Sequence, residues 1–586
     1  NGSYKLNDNI TVTVNFSKSV FVNDTESEKL WSKQLGTSSE DVGEGVTVDS
    51  LNNIYVTGYT IGGLDGNTNS GNYDIILVKY NSSGEKQWTQ QLGTSVNDYA
   101  FGVTVDSLGN IYVTGNTYGG LDGNTNSGDS DIFLIKYNSS GNKQWTQQLG
   151  TSSSDIGYAV TVDNSDNIYV TGDTWGGLDG NTNSGNGNND IILVKYNSSG
   201  TKQWTQQLGT SSGEHAHGVA VDNSNNIYIT GDSSGGLDGN PHSGSHDIFI
   251  VKYNSSGTKQ WTQQLGTSRA DIGKGITVDN SDNIYVTGAT AGGLDGNTNS
   301  GGGYTDIFLV KYNSSGTKQW TKQLGNGSVN VGNGVTVDTS NNIYVTGYTE
   351  GGLDGNTKSG NEYKDIFLVK YNSSGTKQWT KQLGTSSDDR GYGVTVDYSN
   401  NVYVTGYTYG GIDGNSNWGG KDLFLVKYSS GTPTLQLETG TIDHYAYYIS
   451  GSGSTTQTFK YTVQSGDNSS DLDYKATNSL VLNSGTIKDL EGNNANLTLA
   501  SPGTSGSLGA NKAIVLDSIA PTVSSISPTD SATGIQNNLL NAGDVITVTA
   551  TFSENVPVTG TPQLTLVVGS TNRTATYASG SGSTSL

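Results

Sequence analysis

The residues best suited to metal chemistry are histidines that lie close together along the chain. Four of the five histidines fall in one short stretch, as His215, His217, His242 and His246. With the neighbouring Glu214 they form a candidate site that would ligate a transition metal through imidazole nitrogens. The alternative is chance clustering of histidines on solvated loops. The sequence leaves both interpretations open.

Other catalytic chemistry has little support in the sequence. The absence of cysteine excludes disulfides, thiolate zinc sites, iron–sulfur clusters and cysteine nucleophiles. No serine nucleophile elbow, metalloprotease helix or phosphate-binding loop is present. Carboxylates are numerous, but sequence alone cannot place two of them across a glycosidic bond. We therefore expect a protein that is not an enzyme, and keep a polysaccharide hydrolase or lyase as the alternative.

Charge and hydropathy restrict the partners that the chain can have. Asp and Glu number 53 against 30 Lys and Arg, which gives a formal net charge of -23. A basic patch for nucleic acid or an anionic membrane is therefore disfavoured. No apolar run approaches the ~18 residues that span a bilayer. Because the sequence also lacks methionine, we expect a processed piece of a longer product, and we expect no direct membrane insertion.

The elements that must position any site come from internal repetition. One phrase occurs seven times: K-Q-W-T-Q-Q-L-G-T-S, G-V-T-V-D, N-I-Y-V-T-G, G-G-L-D-G-N and D-I-F-L-V-K-Y-N-S-S-G. Each unit contains four short runs rich in Val, Ile, Tyr and Phe, which predicts four antiparallel strands. Four strands in a period of roughly 60 residues are typical of a β-propeller blade. The repeated tryptophans are Trp31, Trp88, Trp145, Trp204, Trp261, Trp320 and Trp379.

The order of strands within a blade follows from the position of the first and last repeats. If G-V-T-V-D is the innermost strand a, then N-I-Y-V-T-G is b, D-I-F-L-V-K-Y is c and the tryptophan strand is d. The repeats then begin with an unpaired strand d, 31–35, and finish with a blade that lacks one, 393–428. Pairing these two segments would close the ring and remove its exposed edges. The tryptophans are expected to pack between adjacent blades.

The repeat motifs also carry a family resemblance. Val46 to Asp49, Asn53 to Gly58 and Asp74 to Tyr80, followed by Gly84 and Trp88, resemble the seven-bladed β-propeller repeats of bacterial surface proteins, the SBBP type. The resemblance extends over all seven units. It implies a propeller but no single activity.

A second, weaker repetition lies outside the blades. Asp8 to Val22 aligns with Asp544 to Val558, and the second copy continues without a break into Thr559 to Leu566. The matching text of the first copy is Ser430 to Leu437. We therefore predict that a propeller at 23–429 interrupts a domain made of 1–22 and 430–518, with a partial second module at 519–586. Such an insertion is tolerated when the ends of the inserted domain lie close together.

The interrupted domain alternates polar and apolar residues with period two, which indicates a β-sandwich. Its phrases, in particular Leu516 to Pro521, resemble the tandem immunoglobulin-like modules of large bacterial adhesins. The predicted fold class is thus all-β: a seven-bladed propeller inserted into an immunoglobulin-like sandwich and followed by a partial second one. The resemblance implies an adhesin or surface filament and adds Ca²⁺ as a candidate ligand at Asp517. No cofactor is firmly implied.

Positions that vary among the blades indicate where a ligand would bind. The connections from d to a and from b to c leave an antiparallel blade on the same face, so variation at both concentrates on one surface, as in binding sites. Flat aromatic rings beside short polar side chains suit glycans. Neutral drift of loop positions is the alternative. The variable residues just before strand a are Glu44, Phe101, Tyr158, His217, Lys274, Asn333 and Tyr392.

These patterns lead to one functional hypothesis. The chain is interpreted as a non-catalytic structural and binding segment of a large extracellular tandem-repeat protein, with surface glycans or other copies of itself in a fibre as partners. The predicted ligand-binding residues are Phe101, Tyr118, Tyr158, Trp175, Tyr348, Tyr392, Tyr407 and Tyr409.

Overall fold

The structure is a computed structural model that describes residues 2–6, 8–23, 27–185, 187–360, 363–464, 466–483, 485–518, 521–529, 545–568 and 571–586. It is all-β, with seven four-stranded antiparallel sheets that correspond to the seven repeats. This arrangement is consistent with the predicted seven-bladed propeller. Among the described residues, no helix is long and apolar enough to cross a membrane.

Each blade has its strands in the predicted order a, b, c, d. Strands a are Asp41–Val48, Asp98–Val105, Asp155–Val162, Glu214–Val221, Asp271–Val278, Asn330–Val337 and Asp389–Val396. Strands b are Ile54–Thr60, Ile111–Thr117, Ile168–Thr174, Ile227–Ser233, Ile284–Thr290, Ile343–Thr349 and Val402–Thr408. We number the blades 1 to 7 in this order.

The outer strands complete each sheet. Strands c are Asp74–Tyr80, Asp131–Tyr137, Asp190–Tyr196, Asp247–Tyr253, Asp306–Tyr312, Asp365–Tyr371 and Asp422–Tyr428. Strands d are Lys86–Leu92, Lys143–Leu149, Lys202–Leu208, Lys259–Leu265, Lys318–Leu324 and Lys377–Leu383, with Lys29–Leu35 in blade 7. A short 3-10 turn lies between b and c, at Leu64–Gly66, Leu121–Gly123, Leu178–Gly180, Leu237–Gly239, Leu294–Gly296, Leu353–Gly355 and Ile412–Gly414.

The repeated Asp and Tyr fix the turn between strands a and b. In blade 1, Asp49 accepts hydrogen bonds from the backbone of Leu51 and Asn53 and from the hydroxyl of Tyr55, at 2.8 to 3.0 Å. Asn52 then adopts a positive φ of 60°, which asparagine tolerates better than most residues. The equivalent contacts recur in all seven blades, ending with Asp397 and Tyr403. These residues therefore stabilise the scaffold.

The hydrophobic core lies between blades. One face of blade 1, with Ile75 and Leu77, packs against Ile111, Val113 and Phe133 of blade 2, and all five are at most 1% exposed. Equivalent clusters occur at the other junctions. Both faces of each central strand are buried, which explains why strands b and c read as continuous apolar runs. Each blade thus depends on its neighbours for its core.

The ring closes as the sequence predicted. Strand d of blade 7, Lys29–Leu35, pairs antiparallel with Asp422–Tyr428, from Lys29 opposite Tyr428 to Leu35 opposite Leu423. Next to this pairing, the Ser27 hydroxyl donates to the carbonyl of Ser429 at 2.6 Å. The chain therefore enters and leaves the propeller side by side.

A lysine links each blade to the next around the ring. In blade 1, Lys79 Nζ donates to the carbonyl of Ser139, in the c–d turn of blade 2, at 3.0 Å. The last link runs from Lys427 to Ser82 at 3.1 Å and joins blade 7 to blade 1. The repeated tryptophans lie at the same junctions, because a Cβ on Gly84 of blade 1 would meet the Trp31 ring at 3.0 Å. This confirms that they pack between blades.

Segments before and after the propeller share sheets in a second unit. Gly2–Tyr4 pairs in parallel with Ile514–Asp517, and Asn9–Asn23 pairs antiparallel with Ser454–Thr462. The unit also contains Thr434–Glu438, His444–Ser450, Asn468–Ser469, Asp473–Tyr474, Leu480–Val481, Thr486–Lys488 and the helix Leu508–Asn511. Its core joins Ile10 and Val12 to Leu435, Phe459 and Tyr461. The exact domain boundaries and the immunoglobulin-like identity of this unit stay predictions.

The second copy of the repeated phrase has the same local structure as the first. The backbone N–H of Ser452 donates to the Tyr448 hydroxyl at 2.8 Å, and that of Ser581 donates to Tyr577 at 2.7 Å. Its strands are Val523–Thr529, Thr547–Val556, Gln563–Val568, Thr571–Thr576 and Ser583–Ser585. Residue 544 of the aligned phrase, and 519 and 520 of the predicted junction, lie outside the described residues.

The second unit contacts the face of the propeller that carries the a–b turns. The Tyr398 ring, in that turn of blade 7, lies 6.3 Å from the His444 ring. A small cavity of about 30 Å³ between the two units is lined by Ser340, Tyr398, His444 and Tyr461 among others. The opposite face, with the d–a and b–c loops, is turned away from this contact.

Candidate functional site

The d–a and b–c loops meet on one face of the ring, as expected from the blade topology. The backbone N–H of Ile61 donates to the carbonyl of Glu40, and Tyr118 donates to Asn97, each at 3.0 Å. In each pair one residue belongs to the b–c loop and the other to the d–a loop. We call this surface the loop face.

The variable residue near the start of strand a lies inside the strand, and the prediction that it precedes the strand is wrong. In blade 1 the register shifts between Gly43 and Gly45, so Glu44 is the extra residue of a β-bulge. The same shift occurs in every blade. A bulge changes the direction of one side chain and interrupts the alternation of inward and outward residues along the strand. For this reason the sequence pattern predicted a strand a that begins later than the observed one. The bulge residues are Glu44, Phe101, Tyr158, His217, Lys274, Asn333 and Tyr392.

Aromatic side chains from blades 1 to 4 form a continuous series on the loop face. Successive ring centroids lie 5.3 Å apart for Tyr59 and Tyr73, 4.9 Å for Tyr73 and Tyr99, and 6.3 Å for Tyr99 and Phe101. The series continues at 5.5 Å from Phe101 to Tyr158 and 5.5 Å from Tyr158 to His217. We call these six residues the aromatic row. All six are half-buried, so part of each ring remains accessible.

Burial keeps the phenols of the aromatic row neutral. It raises the pKa of Tyr99 to about 12, with smaller contributions from Tyr73, Tyr118 and Glu40. It likewise raises the pKa of Tyr73, whose hydroxyl donates to Glu40 at 3.2 Å. At physiological pH these hydroxyls therefore remain able to donate hydrogen bonds to a ligand.

A second group on the loop face combines aromatic rings with cations from blades 6 and 7. The Arg390 guanidinium lies 5.0 Å from the Tyr348 ring and 5.7 Å from the Tyr407 ring. The Tyr407 ring lies 5.9 Å from Tyr392 and 5.8 Å from Tyr409. Arg390 and the Tyr407 hydroxyl both donate to Asp388, at 2.9 Å. We call these five, Tyr348, Arg390, Tyr392, Tyr407 and Tyr409, the arginine cluster.

Glu44 lies between the aromatic row and the arginine cluster. It is half-buried, and its charge acts on the pKa values of Tyr59 in the row and Tyr392 in the cluster. Burial raises the pKa of Glu44 to about 8, opposed by the positive charge of Lys421. The carboxyl group is therefore largely protonated at neutral pH.

The structure brings most of the predicted ligand residues together, in two groups rather than one. Phe101 and Tyr158 belong to the aromatic row, whereas Tyr348, Tyr392, Tyr407 and Tyr409 belong to the arginine cluster. Tyr118 is exposed and its charge acts on the pKa of Tyr158 in the row. Trp175 is 48% exposed. That these residues bind a ligand stays a prediction.

Sequence reasoning missed Tyr73, Tyr99 and Arg390. Tyr99 and Arg390 occupy the second position of strand a, where other blades have Val42, Ile156 or Ile272. The available signal was a polar or aromatic residue at a position that is aliphatic in four of the seven blades. Tyr73 directly precedes strand c, where the other blades have polar residues such as Ser130 or Lys364, so an aromatic residue there was the signal.

The four clustered histidines each lie beside an aspartate. His215 Nδ1 lies 3.0 Å from Asp173 and His217 Nε2 lies 3.0 Å from Asp232. The hydrogen bond with Asp173 raises the pKa of His215. Burial, together with the charge of Lys274, lowers the pKa of His217 against the effect of Asp232.

The remaining members of the predicted metal site do not complete it. His246 lies 3.9 Å from Asp232, the aspartate that His217 also contacts, whereas His242 lies beside Asp247 at 3.4 Å. The carboxylate of Glu214 is buried and accepts hydrogen bonds from Thr210 and Ser233. Packing of the blade start therefore withdraws it from the histidines.

The predicted calcium ligand is not part of an assembled metal site among the described residues. Asp517 is exposed and is paired in register with Asn468. Within the described ranges, no group of three or more His, Cys, Asp or Glu side chains is arranged to hold a metal ion. Neither the five-residue histidine site nor the Asp517 site is assembled in this structure.

Comparison with known proteins agrees with the blade geometry. The family model described as beta-propeller repeat, SBBP, matches residues 30–65, 87–122, 144–179, 203–238, 260–295, 319–354 and 378–413. Seven SBBP β-propeller repeats are present in this chain. Each matched segment runs from strand d of one blade to the b–c turn of the next, so the SBBP repeat is offset from the structural blade by one strand.

Two curated relatives each match more than half of the chain. An uncharacterized WD repeat-containing protein of Acanthamoeba polyphaga mimivirus is 23% identical over 65% of the chain, and the regulatory protein FlaEY of Caulobacter vibrioides is 23% identical over 62%. The chain spans only 36% and 43% of their respective lengths. With the SBBP repeats, these relatives indicate a binding or structural propeller.

Solved structures with similar folds are remote. The polysaccharide lyase Uly1 shares 10% identity and a TM-score of 0.40, over 72% of this chain and 99% of that one. The Pan2 WD40 domain of Neurospora crassa shares 8% identity and a TM-score of 0.38, over 69% of this chain and 97% of that one. Similarity at this level assigns no activity to the chain.

Proposed function

We propose that the chain is a non-catalytic extracellular segment of a large tandem-repeat surface protein, an adhesin or filament, whose propeller binds glycans through the aromatic row. The observation that supports this proposal is the row itself: six rings from four blades at successive spacings of 4.9 to 6.3 Å. A series that spans four blades is suited to an extended ligand rather than to a small molecule.

The chemistry of the row favours sugars over other extended ligands. Aromatic faces bury the apolar C–H faces of sugar rings, while tyrosine hydroxyls remain available for hydrogen bonds. Glu40 flanks the row, and its side chain is 30% exposed, so its carboxylate can accept a hydrogen bond from a sugar hydroxyl. The acidic net charge of -23 opposes nucleic acid and anionic lipid as alternatives.

The rest of the chain has a display role in this proposal. The second unit contacts the a–b turns near Tyr398 and leaves the loop face accessible. It would carry the propeller on a stalk or fibre of related modules, in which other copies of the chain are the second class of partner. The proposal requires no cofactor.

A glycan array tests the binding proposal. The chain should bind a defined set of polysaccharides, and a Tyr99→Ala/Phe101→Ala variant should lose at least tenfold in affinity without unfolding. Tyr304→Ala is the matched control, because Tyr304 is 56% exposed in a b–c loop of the same face and is not part of the row. Equal losses in both variants, or binding that neither affects, would remove the row from the site.

Glu44 is the one observation that favours the enzyme alternative. A carboxyl group with a pKa of about 8 is protonated at neutral pH and suits a general acid in a polysaccharide hydrolase or lyase. Its nearby acid, Glu40, is instead engaged with Tyr73 and Lys421, both at 3.2 Å. Glycans that bind on the array should be incubated with the chain and analysed for shorter products. Cleavage that Glu44→Gln abolishes would establish the enzyme and refute the non-catalytic proposal.

A further inference from the structure

A buried aspartate begins strand c of every blade and has one unused oxygen in six of them. In blade 1, Asp74 is fully buried, and its Oδ2 accepts hydrogen bonds from Ser70 N at 2.8 Å and Gln91 Nε2 at 3.0 Å. Its Oδ1 is buried and has no hydrogen-bond partner. The same oxygen lacks a partner in Asp131, Asp190, Asp247, Asp365 and Asp422. An unsatisfied buried carboxylate oxygen repeated six times needs a physical cause.

The unused oxygen lies against a glycine at the end of strand d. A Cβ atom added to Gly93 would lie 2.1 Å from Asp74 Oδ1. At the equivalent glycines of all seven blades, the distance from such a Cβ to the aspartate Oδ1 is 1.9 to 2.4 Å. This close approach accounts for the glycine of the repeated L-G-T motif. It also leaves no room for a hydrated ion beside the oxygen.

A second buried acid from the next blade lies beside each of these aspartates. The backbone N–H of Asp98, at the start of strand a in blade 2, donates to the carbonyl of Tyr73, the residue before Asp74. At the next but one junction, a Cβ on Gly209 would lie 2.1 Å from Asp190 Oδ1 and 3.0 Å from Glu214 Oε2. Two buried carboxyl groups therefore lie close together at the junction between blades.

One junction differs, and the difference is informative. Between blades 5 and 6 the strand-a acid is replaced by Asn330, and there Asp306 Oδ1 accepts a hydrogen bond from the Ser300 hydroxyl at 2.5 Å. The oxygen is therefore satisfied at the one junction where the neighbouring side chain carries no charge.

We propose that each of the six acid–acid junctions holds one proton on its carboxyl pair, so that the ring is tightest in mild acid and its junctions loosen as the pH rises. Two ionised carboxylates in a buried site repel each other, whereas one proton removes a charge and supplies a donor. The pairs are Asp422 with Asp41, Asp74 with Asp98, Asp131 with Asp155, Asp190 with Glu214, Asp247 with Asp271, and Asp365 with Asp389.

A metal ion does not fit these junctions. Calcium requires six to eight oxygen ligands, whereas both oxygens of Asp98 already accept hydrogen bonds from Thr94 and Thr117. No group of metal-binding residues is present in the described part of the chain. A single proton on the carboxyl pair needs no such set of ligands.

The electrostatic environment supports the proposal and determines whether stability rises or falls with pH. Burial, opposed by hydrogen bonds from Thr408 and Thr385 and assisted by the charge of Asp365, raises the pKa of Asp389 to about 6. In the described structure, Asp365 is the one charged side chain that acts on Asp389 in this way, as Asp74 is for Asp98. The unfolded value is about 4. The folded state thus binds more protons between these pH values, and stability falls as the pH rises through that window.

The natural Asp306–Asn330 junction allows a test in the full chain. The variant Asn330→Asp creates a seventh acid pair and should lower Tm by about 2 °C or more at pH 8, with a smaller loss at pH 5. Asn72→Asp, a substitution at an exposed loop position, is the control and should shift Tm at neither pH. The reverse variant, Asp389→Asn, should reduce the difference in Tm between pH 5 and pH 8. A loss from Asn330→Asp that is equal at both pH values would overturn the proposal.

An infrared measurement on the unaltered chain keeps the proposal testable if a variant does not fold. Protonated carboxyl groups should be detectable in the folded protein at pH 5 and should be fewer in Asp389→Asn. An equal protonated-carboxyl signal from the two proteins at pH 5 would overturn the proposal. So would a rise in the parent's Tm with CaCl₂ that EDTA reverses and Asp389→Asn abolishes, since the junctions would then be cation sites.

Discussion

The two faces of the propeller are built from the same seven repeats but differ in how similar the side chains are from one blade to the next. On the face with the a–b and c–d turns, the lysine-to-serine links and the Asp–Tyr contacts are nearly identical from blade to blade, as for Lys79 and Lys427. On the loop face the bulge position changes chemistry at each step, from Glu44 through Phe101 to Lys274. Repetition therefore marks the residues that hold the ring, and variation marks the residues available for binding.

The difference also has an energetic side. Contacts that hold blades together are buried, as Tyr55 and Tyr403 are, so a change there leaves a cavity or an unsatisfied polar group. Side chains of the loop face are half-buried or exposed, and most substitutions there should cost little. A ring of this kind can vary its binding surface without losing its fold.

The largest expected effect comes from removing the strand that closes the ring. Deletion of residues 27–36 should destabilise the propeller by about 4 kcal/mol or more, because it removes the pairing with Asp422–Tyr428 and the half-buried ring of Trp31. Urea unfolding followed by tryptophan fluorescence measures it. In the matched pair Trp31→Ala and Trp145→Ala, equal losses are expected. A harmless Trp31→Ala would contradict the ring closure.

A smaller effect is expected from one link between blades. Lys427→Met removes the hydrogen bond to the Ser82 carbonyl and should lower the free energy of unfolding by about 1 kcal/mol. Lys252→Met breaks the equivalent internal link to Ser314, and Lys252 lies near Asp222 as Lys427 lies near Asp397; this variant is the comparison and should cost about the same. If only the internal variant loses stability, the seventh junction is not equivalent to the others.

The loop face should respond in the opposite way. Tyr99→Ala/Phe101→Ala should change the free energy of unfolding by less than the Trp31→Ala variant, and by roughly 1 kcal/mol per half-buried ring, while glycan binding is lost. The same urea titration and array, applied to both variants, separate the two faces. A loop-face variant as unstable as Trp31→Ala would mean that the aromatic row is part of the ring's core.

The smallest effect concerns His217, the one histidine whose pKa burial lowers. Because the folded state favours the neutral ring, its contribution to stability is lost as the pH falls below the unfolded value of about 6.5. His217→Gln should therefore flatten the stability curve slightly below that pH. His242→Gln is the control for replacing a histidine in the same blade. Zn²⁺ that raised the Tm of the parent but not of His217→Gln would revive the metal-site hypothesis.

Much of the scaffold could be predicted from sequence because seven copies report the same structural requirement. Strand order, ring closure by Trp31 and the pairing across the interruption all follow from repeated text. Comparison of the repeats could not reveal the bulge at Glu44, because every blade has the extra residue at the same position of strand a. Only part of the candidate site could be predicted from the sequence. Tyr99 and Arg390 were missed because they stand at a position that is aliphatic in several other blades. The contacts of His217 with Asp232 and of His215 with Asp173 follow no sequence rule.

The central claim is that the ring alone folds and carries the binding surface. The most direct test compares two proteins: the isolated ring, residues 27–430, and a spliced chain that lacks residues 23–429. The isolated ring includes Ser430 because Lys370 donates to its carbonyl at 3.0 Å. The account predicts one cooperative unfolding transition for the isolated ring, with the glycan-array profile of the full chain, and a folded spliced chain that binds none of those glycans. An isolated ring that stays unfolded, or glycan binding that follows the spliced chain, would contradict it.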